Sequence, residues 1–346
     1  TFLYVADDRT GNQDDAYHTD AKDFHVLGPD GNNWTNTAVL SKGDIMNAAA
    51  LVTIGIIPED DCDSSFNYQP GKTYLFFAGD RESNNGTGFI GFWFLLNGST
   101  ATVDNGQNIF DPEHSVGDLL VLADFTSGGR QADVTVLKWV GPGNGTLGNN
   151  LSLALEGTTG AQVGQNNDVQ TLVPDGFLVP EGQTTYDYNE FYEGVINLTD
   201  VFDLNNDPQL LCNATWILET RASNEITADL KDFVGGTFSL APIVEVSDAS
   251  VCEGQPASLT ATLKDGSGAS IPDDGYTFTW TGPGTIDAGQ GTATITIDPA
   301  ELGDAGDAGD YTVTVTTTTK CEPDGPGTGT LTVNPDISVT VNDPGI

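Results

Sequence analysis

Basic residues are what this sequence has least of: 11 Lys and Arg stand against 50 Asp and Glu, for a formal charge of −39 over 346 residues. A surface of that sign repels phosphate, which excludes naked nucleic acid and anionic lipid as partners. Long apolar runs are missing as well. The longest, Phe89 to Leu96, has eight residues, against about twenty for a helix that crosses a bilayer, so direct membrane insertion is not expected. Histidine is scarce, and His18, His25 and His114 sit in Asp-rich stretches without the HExxH spacing that places two metal ligands on one helix face, so all three are expected at the surface. There is no GxSxG elbow and no Walker loop, and Gly128-Gly129 reads as a hairpin turn. With 50 acids, no pair of glycosidase-type carboxylates stands out. No enzymatic activity is expected, and no cofactor is required.

The acids that are present are mostly short: 37 Asp and 13 Glu. They are spread along the chain. Residues 1–241 carry 34 acids and 9 bases (−25), and residues 242–346 carry 16 and 2 (−14). An Asp-rich, Lys-poor surface stays soluble where salt screens its self-repulsion, so the composition points to an extracellular protein of a saline environment. Calcium is the expected counter-ion. Asp304, Asp307 and Asp310 place three carboxylates at a spacing of three before a strand, and Asp203/Asp207 and Asp60-Asp61/Asp63 form similar clusters. Such turns supply the hard oxygens Ca²⁺ prefers, although none follows the EF-hand pattern.

Four cysteines, Cys62, Cys212, Cys252 and Cys321, form no CxxC pair, which argues for two disulfides in an oxidising compartment rather than for zinc. The expected bridges are Cys62–Cys212 and Cys252–Cys321, each closing a loop within one domain. Asn-x-Ser/Thr sequons begin at Asn33, Asn85, Asn97, Asn144, Asn150, Asn197 and Asn213, all before residue 214, and make the first domain the glycosylation candidate.

Short apolar stretches separated by Gly, Asn, Asp and Pro run from end to end, with 42 Gly and 17 Pro in all. Tyr74–Phe77, Phe89–Leu96, Asp118–Leu122, Val134–Val140 and Leu151–Leu155 read as strands. Phe89–Leu96 is apolar on both faces and belongs in the centre of a sheet between two layers. Ser41-Lys-Gly-Asp44 before Ile45–Leu51 looks like a capped start, which predicts one short helix there. The first domain, residues 1–241, is therefore expected to be a jelly-roll-like β-sandwich with one helix. Arg81 and Arg221 are expected to pair with Asp80, Asp124 or Glu219. Trp34 is the one Trp of that domain outside an apolar strand, hence the candidate sugar-stacking platform.

Near Pro242 the chain becomes Thr-rich and loses its Arg. Val244–Val246, Ala257–Leu263, Tyr276–Trp280, Thr292–Ile297, Tyr311–Thr316 and Gly329–Val333 alternate Thr with Leu, Val, Ile or an aromatic, the period-two pattern of an immunoglobulin-like sandwich over residues 242–336. Trp280 occupies the buried position of strand C, and Gly309-Asp310-Tyr311 the start of strand F with its corner tyrosine. Val244–Val251 aligns on Val339–Ile346 at an offset of 95, so residues 337–346 read as the first strand of a further repeat, which would place a Cys at position 347.

These residues resemble a known family. Val-x-Val-x-Asp-Ala-Ser-Val-Cys-Glu-Gly254, Tyr-Thr-Phe-Thr-Trp280, Gly-Asp-Tyr-Thr-Val-Thr-Val315 and Leu-Thr-Val-Asn-Pro335 resemble the Ig-like or PKD-like repeats of giant secreted bacterial surface proteins, among them adhesins and gliding-associated proteins. In the first domain, Tyr-Leu-Phe-Phe-Ala-Gly-Asp-Arg81, Ile-Gly-Phe-Trp-Phe94, Gly-Asp-Leu-Leu-Val-Leu-Ala-Asp-Phe-Thr-Ser-Gly-Gly129 and Glu-Thr-Arg221 are similar to a β-sandwich module that heads such proteins. The resemblance implies surface exposure and assembly: an adhesive stalk, fibre or filament component whose partners are copies of itself or cell-surface glycans. A second reading is a carbohydrate-binding or glycan-active first domain. Phe2, Leu3, Tyr4 and Val5 form an apolar terminal strand, expected to insert into a neighbouring subunit.

Overall fold

The computed structural model describes residues 2–7, 15–18, 21, 33–54, 68–69, 71–124, 134–141, 151–153, 162–179, 182–204, 207, 209–238, 240–265, 268–300 and 307–335. The chain forms two compact units, Thr1–Phe238 and Ser239–Ile346.

In the first unit the strands are β1 (Phe2–Ala6), β2 (Asp15–Tyr17), β3 (Trp34–Asn36), β4 (Asn47–Ile54), β5 (Thr73–Asp80), β6 (Phe89–Leu95), β7 (Thr100–Asp104) and β8 (Gln107–Asp111). There follow β9 (Leu119–Asp124), β10 (Thr135–Trp139), β11 (Leu151–Leu153), β12 (Gln162–Asn166), β13 (Thr171–Leu172), β14 (Thr185–Tyr186) and β15 (Phe191–Asn197). A single turn of helix, α1 (Leu198–Val201), precedes β16 (Thr215–Arg221) and β17 (Leu230–Thr237). One sheet has the order β1-β4-β5-β15-β12, the other β11-β10-β9-β6-β16-β17-β2-β3. They meet where Phe77 stacks on Phe92 at 4.5 Å, with Phe92 in turn stacked on Trp216. Gly79 permits this approach: a Cβ there would lie 2.1 Å from Leu218 Cδ2. β6 is central and buried on both faces, as its run of apolar residues requires. Its Trp93 face packs with Leu120, Leu137, Ile217 and Phe233, and this cluster includes Phe110 of the β7–β8 hairpin.

Two expectations fail in this unit. The helix over Ile45–Leu51 is instead the start of β4, paired with β1 on one side and β5 on the other. Buried carboxylates take the N–H groups that a first helical turn would leave open: Ile45 N–H donates to Asp232 Oδ2 at 2.7 Å, and Met46 and Asn47 N–H donate to Asp80 Oδ1 at 3.1 and 2.6 Å. Ala48, Ala49 and Ala50 are all buried, so pairing and packing override helix propensity. The helix found among the described residues, α1, is capped by Asn197, whose Oδ1 accepts from Thr199 N–H. The donated strand is likewise corrected. Phe2, Leu3, Tyr4 and Val5 pair with Leu51, Ala50, Ala49 and Ala48 of the same chain: with β5 on one side of β4, its other edge takes β1 antiparallel, across an intervening segment that holds β2 and β3.

The second unit contains β18 (Ile243–Val246), β19 (Ala249–Cys252), β20 (Gln255–Lys264), β21 (Tyr276–Thr281), β22 (Thr294–Ala300), β23 (Gly309–Thr317) and β24 (Gly327–Asn334). They form two sheets, β18-β20-β22 and β19-β24-β23-β21. The first strand of the sandwich is split: β18 pairs antiparallel with β20, then the chain crosses and β19 pairs parallel with β24. Gly327 and Gly329 make room for it, since a Cβ at either would lie under 3 Å from Val244 or Val246. Alternating residues fill one core: Leu259, Ala261, Phe278, Trp280, Ile295, Ile297, Val313 and Leu331 are all buried. The Tyr311 hydroxyl donates to the Asp307 carbonyl at 2.9 Å and accepts from Gly284 N–H at 3.2 Å, which is the tyrosine corner of an immunoglobulin-like sandwich.

The Cys252–Cys321 bridge does not form. Cys252 is a free, exposed thiol, whereas Cys212 and Cys321 are disulfide-bonded. Cys252 lies opposite Asn334 at the C-terminal end of β24; Cys321 lies in the connection that enters β24 at Gly327. Seven residues of strand separate the two ends, about 23 Å at 3.3 Å per residue, against about 7 Å for bridgeable Cα atoms. β20 and β23 run in the same direction, so a cysteine just before β20 and one just after β23 fall at opposite ends. Cys62 lies outside the described residues, as do Asp60, Asp61, Asp63, Asn144, Asn150, His25, Asp304 and residues 337–346.

Candidate functional site

The chemistry-bearing side chains of the first unit gather at the ends of its strands and point inward. The first group surrounds Asp80, the last residue of β5. Its Oδ1 accepts from the backbone of Met46 and Asn47, and its Oδ2 from Asn47 Nδ2 and the Tyr186 hydroxyl. Asn47 extends the network, donating to the Leu178 carbonyl and accepting from Leu178 N–H. Burial raises the Asp80 carboxyl to about 6, while the Tyr186 and Asn47 donors pull it back down. The next residue, Arg81, is buried too. It donates through Nε to Asn189 O at 2.8 Å and through Nη1 to Gly86 O at 3.2 Å. Burial lowers its guanidinium to about 10, with the Glu190 carboxylate acting in the opposite sense.

The second group lies on β16. Arg221 Nη1 meets Glu219 Oε1 at 2.5 Å with both side chains fully buried. The Tyr17 hydroxyl donates to Glu219 Oε2 at 2.8 Å, while Arg221 Nη2 and Nε reach the carbonyls of Glu225 (2.8 Å) and Ser223 (3.3 Å). Of the two expected arginine pairings, Arg221 makes the one with Glu219. Arg81 donates to loop carbonyls, and the Asp124 side chain lies outside the described residues. Both tie a loop to the end of a strand.

The third group was not singled out from the sequence. His114 is buried rather than exposed, its ring 4.2 Å from Trp139 and 4.4 Å from Trp93. Its Nδ1 lies 3.0 Å from Asp118 Oδ2, and the Asp118 carboxylate also accepts from Leu96 and Ser115 N–H. Nε2 is buried without a protein partner. The spacing of four between His114 and Asp118, beside strands carrying Trp93 and Trp139, was the available signal.

The remaining candidates take different places. Asp310 faces outward on β23 and accepts from Thr330 Oγ1 at 2.8 Å; Asp307 supplies its carbonyl to Tyr311. Among the described residues, no three His, Cys, Asp or Glu side chains converge for a metal. Of the sequons, Asn85 and Asn213 are exposed. Asn33 and Asn197 are buried, and Asn197 Nδ2, the atom a glycan would need, donates to Asp200 Oδ2 at 3.0 Å. Asn97 Nδ2 is held by the Glu113 carbonyl. Trp34 is 9% exposed and donates to Ile109 O at 3.1 Å, and the other four Trp are buried as well. The exposed Trp platform expected of a sugar-binding face is therefore absent: Trp34 belongs to the Tyr17–Phe233 aromatic core.

No protein-family model matches the sequence, and no curated protein matches it significantly. Solved structures with some likeness are immunoglobulin-type tandems and a surface-layer fragment. The I9–I11 tandem from titin is 10% identical, covering 76% of this chain and 94% of its own at a TM-score of 0.20. Sidekick-1 immunoglobulin domains 1–4 are 13% identical, covering 78% of this chain and 73% of their own at 0.20. Domains 4 and 5 of the S-layer protein SbsC are 19% identical, covering 49% of this chain and 95% of their own at 0.17. The immunoglobulin-like character of the second unit stands on its strand order and its Tyr311 corner.

Proposed function

We propose that this protein is a non-enzymatic, extracellular structural and adhesive component of a stalk, fibre or surface layer in saline surroundings. The observation that carries this reading is how the buried polar groups are used. Asp80, Arg81, Glu219, Arg221 and Asp118 each bind backbone groups or one another where strands run into loops. Their chemistry goes into fixing those loops, the demand placed on a module that must keep its shape. The disulfide-bonded state of Cys212 and Cys321 fits an oxidising compartment. The charge of −39 fits a solvent whose salt screens self-repulsion.

Surface labelling of intact producing cells, combined with thermal melts from molar to millimolar NaCl, tests the reading. Labelling from outside the cell is expected, with melting temperature falling as salt is diluted; Ca²⁺ should restore more than its ionic strength explains. A protein accessible only after lysis, or a melt indifferent to salt, overturns it.

A further inference from the structure

Among the described residues, the edges by which the second unit could add strands are covered or short. β21 and β22 are sheet edges, and a single segment covers both. Gln290 accepts from Trp280 N–H at 2.9 Å and donates to Trp280 O at 2.7 Å, so its amide stands in for a neighbouring strand, with Gly291 bridged to Phe278 beside it. Just before it, Asp287 N–H donates to Thr296 O and Thr296 N–H to Ala288 O. The opposite edges, β18 and β19, are two four-residue halves of one split strand. What this unit offers a partner is a face.

One face of this unit carries few charges. On the β19-β24-β23-β21 sheet, cross-strand pairing aligns Thr277 with Thr316, Thr279 with Thr314 and Thr281 with Thr312. The alternation continues across the sheet, where Thr328, Thr330 and Thr332 of β24 also point outward. The hydroxyls are ordered by their neighbours: Thr312 Oγ1 lies 3.3 Å from Thr328 Oγ1, and Thr330 Oγ1 donates to Asp310. Among the described residues, Asp310 lies within this array and Asp248 beside it, its Oδ1 accepting from Thr330 N–H at 2.8 Å, on a chain of formal charge −39.

We propose that this threonine face is a lateral contact between copies of this chain, an inference that rests on the assembly reading above. Two arguments select a second copy. A hydroxyl both donates and accepts, so a threonine array is complementary to itself under a two-fold axis, which no carboxylate face is. It is also a surface on which two strongly acidic molecules meet almost without opposed charges. Outward residues recur at about 6.6 Å along a strand and strands at about 4.8 Å, so the array covers roughly 300 Å². Stable pairs bury about 800 Å² per partner. The contact is therefore weak singly and accumulates along an assembly, where many are made at once.

Sedimentation equilibrium of the full chain at rising concentration, in 0.15 M and 3 M NaCl (about 8 Å and under 3 Å of screening length), reads the contact. The weight-average mass should climb with concentration in high salt and remain monomeric in low salt. The triple variant Thr279→Glu/Thr314→Glu/Thr330→Glu should stay monomeric in both. Ser258→Glu/Thr260→Glu/Thr296→Glu, on the other sheet, should associate as the parent does. Thr279→Val/Thr314→Val/Thr330→Val keeps the shape and β propensity, and serves if the charged triple melts early; it should weaken association several-fold. Equal effects of the two charged triples, or a parent that is monomeric throughout, overturn the proposal. If imaged native material is a filament or layer while the parent shows no face-dependent association, this contact is wrong and the assembly reading stands.

Discussion

Replacing Arg221 with Met isolates what the buried ion pair does. Arg221 and Glu219 are both fully buried and 2.5 Å apart. Removing the guanidinium leaves the Glu219 carboxylate in the core with the Tyr17 hydroxyl among its donors, and frees the carbonyls of Glu225 and Ser223. An uncompensated buried charge costs about 3–5 kcal/mol. For a unit of this size each kcal/mol moves the melting temperature by about 2–4 °C, so a fall on the order of 10 °C is expected in calorimetry. The companion Arg221→Met/Glu219→Leu removes both charges and should recover most of the loss, since a well-packed apolar pair is often as stable as a buried ionic one. Gly91 supplies the space for Glu219, as a Cβ there would lie 2.4 Å from Oε1, and a branched Leu must fit the same gap. If Arg221→Met costs under 1 kcal/mol, or the double variant is no better than the single, the pair is not the clamp described here.

Other outcomes follow from the same structure. Because burial raises Asp80 to about 6, the folded state holds its proton more tightly than the unfolded chain. Its contribution is fully present below about pH 4 and is lost as pH rises through 6, at most about 3 kcal/mol. Denaturant titrations at pH 4 to 7 should show that slope in the parent and lose it in Asp80→Asn. Tyr311→Phe removes the bonds to Asp307 and Gly284 and should cost the second unit about 1–2 kcal/mol in urea unfolding. In glycopeptide mapping from a glycosylating host, Asn85 and Asn213 are the expected acceptors. Occupancy at buried Asn197, whose amide caps α1, would contradict its placement.

The second unit was the more legible because its strands alternate strictly. Thr at every other position with Val, Ile or Trp between permits one register, and Trp280 and Tyr311 stand where such a sandwich puts them. Ile45–Leu51 was misread because an apolar, Ala-rich run buried on both sides looks the same as helix or strand, and the deciding partners, Asp80 and Asp232, are 33 or more residues away. The cysteines misled through direction: an even count without CxxC points to bridges, but pairing depends on which end of the sheet each residue occupies. His114 and Trp34 looked exposed because their sequence neighbours are polar. Their burial comes from strands distant in the chain, Trp139 over one and Phe233 beside the other.

Electron microscopy of native material, with gold-labelled antibody against the second unit, tests the central claim most directly. The account predicts gold along extracellular fibres or a layer on the cell surface, at regular intervals. Gold confined to the cell interior, or scattered on dispersed single particles in native-strength salt, contradicts it.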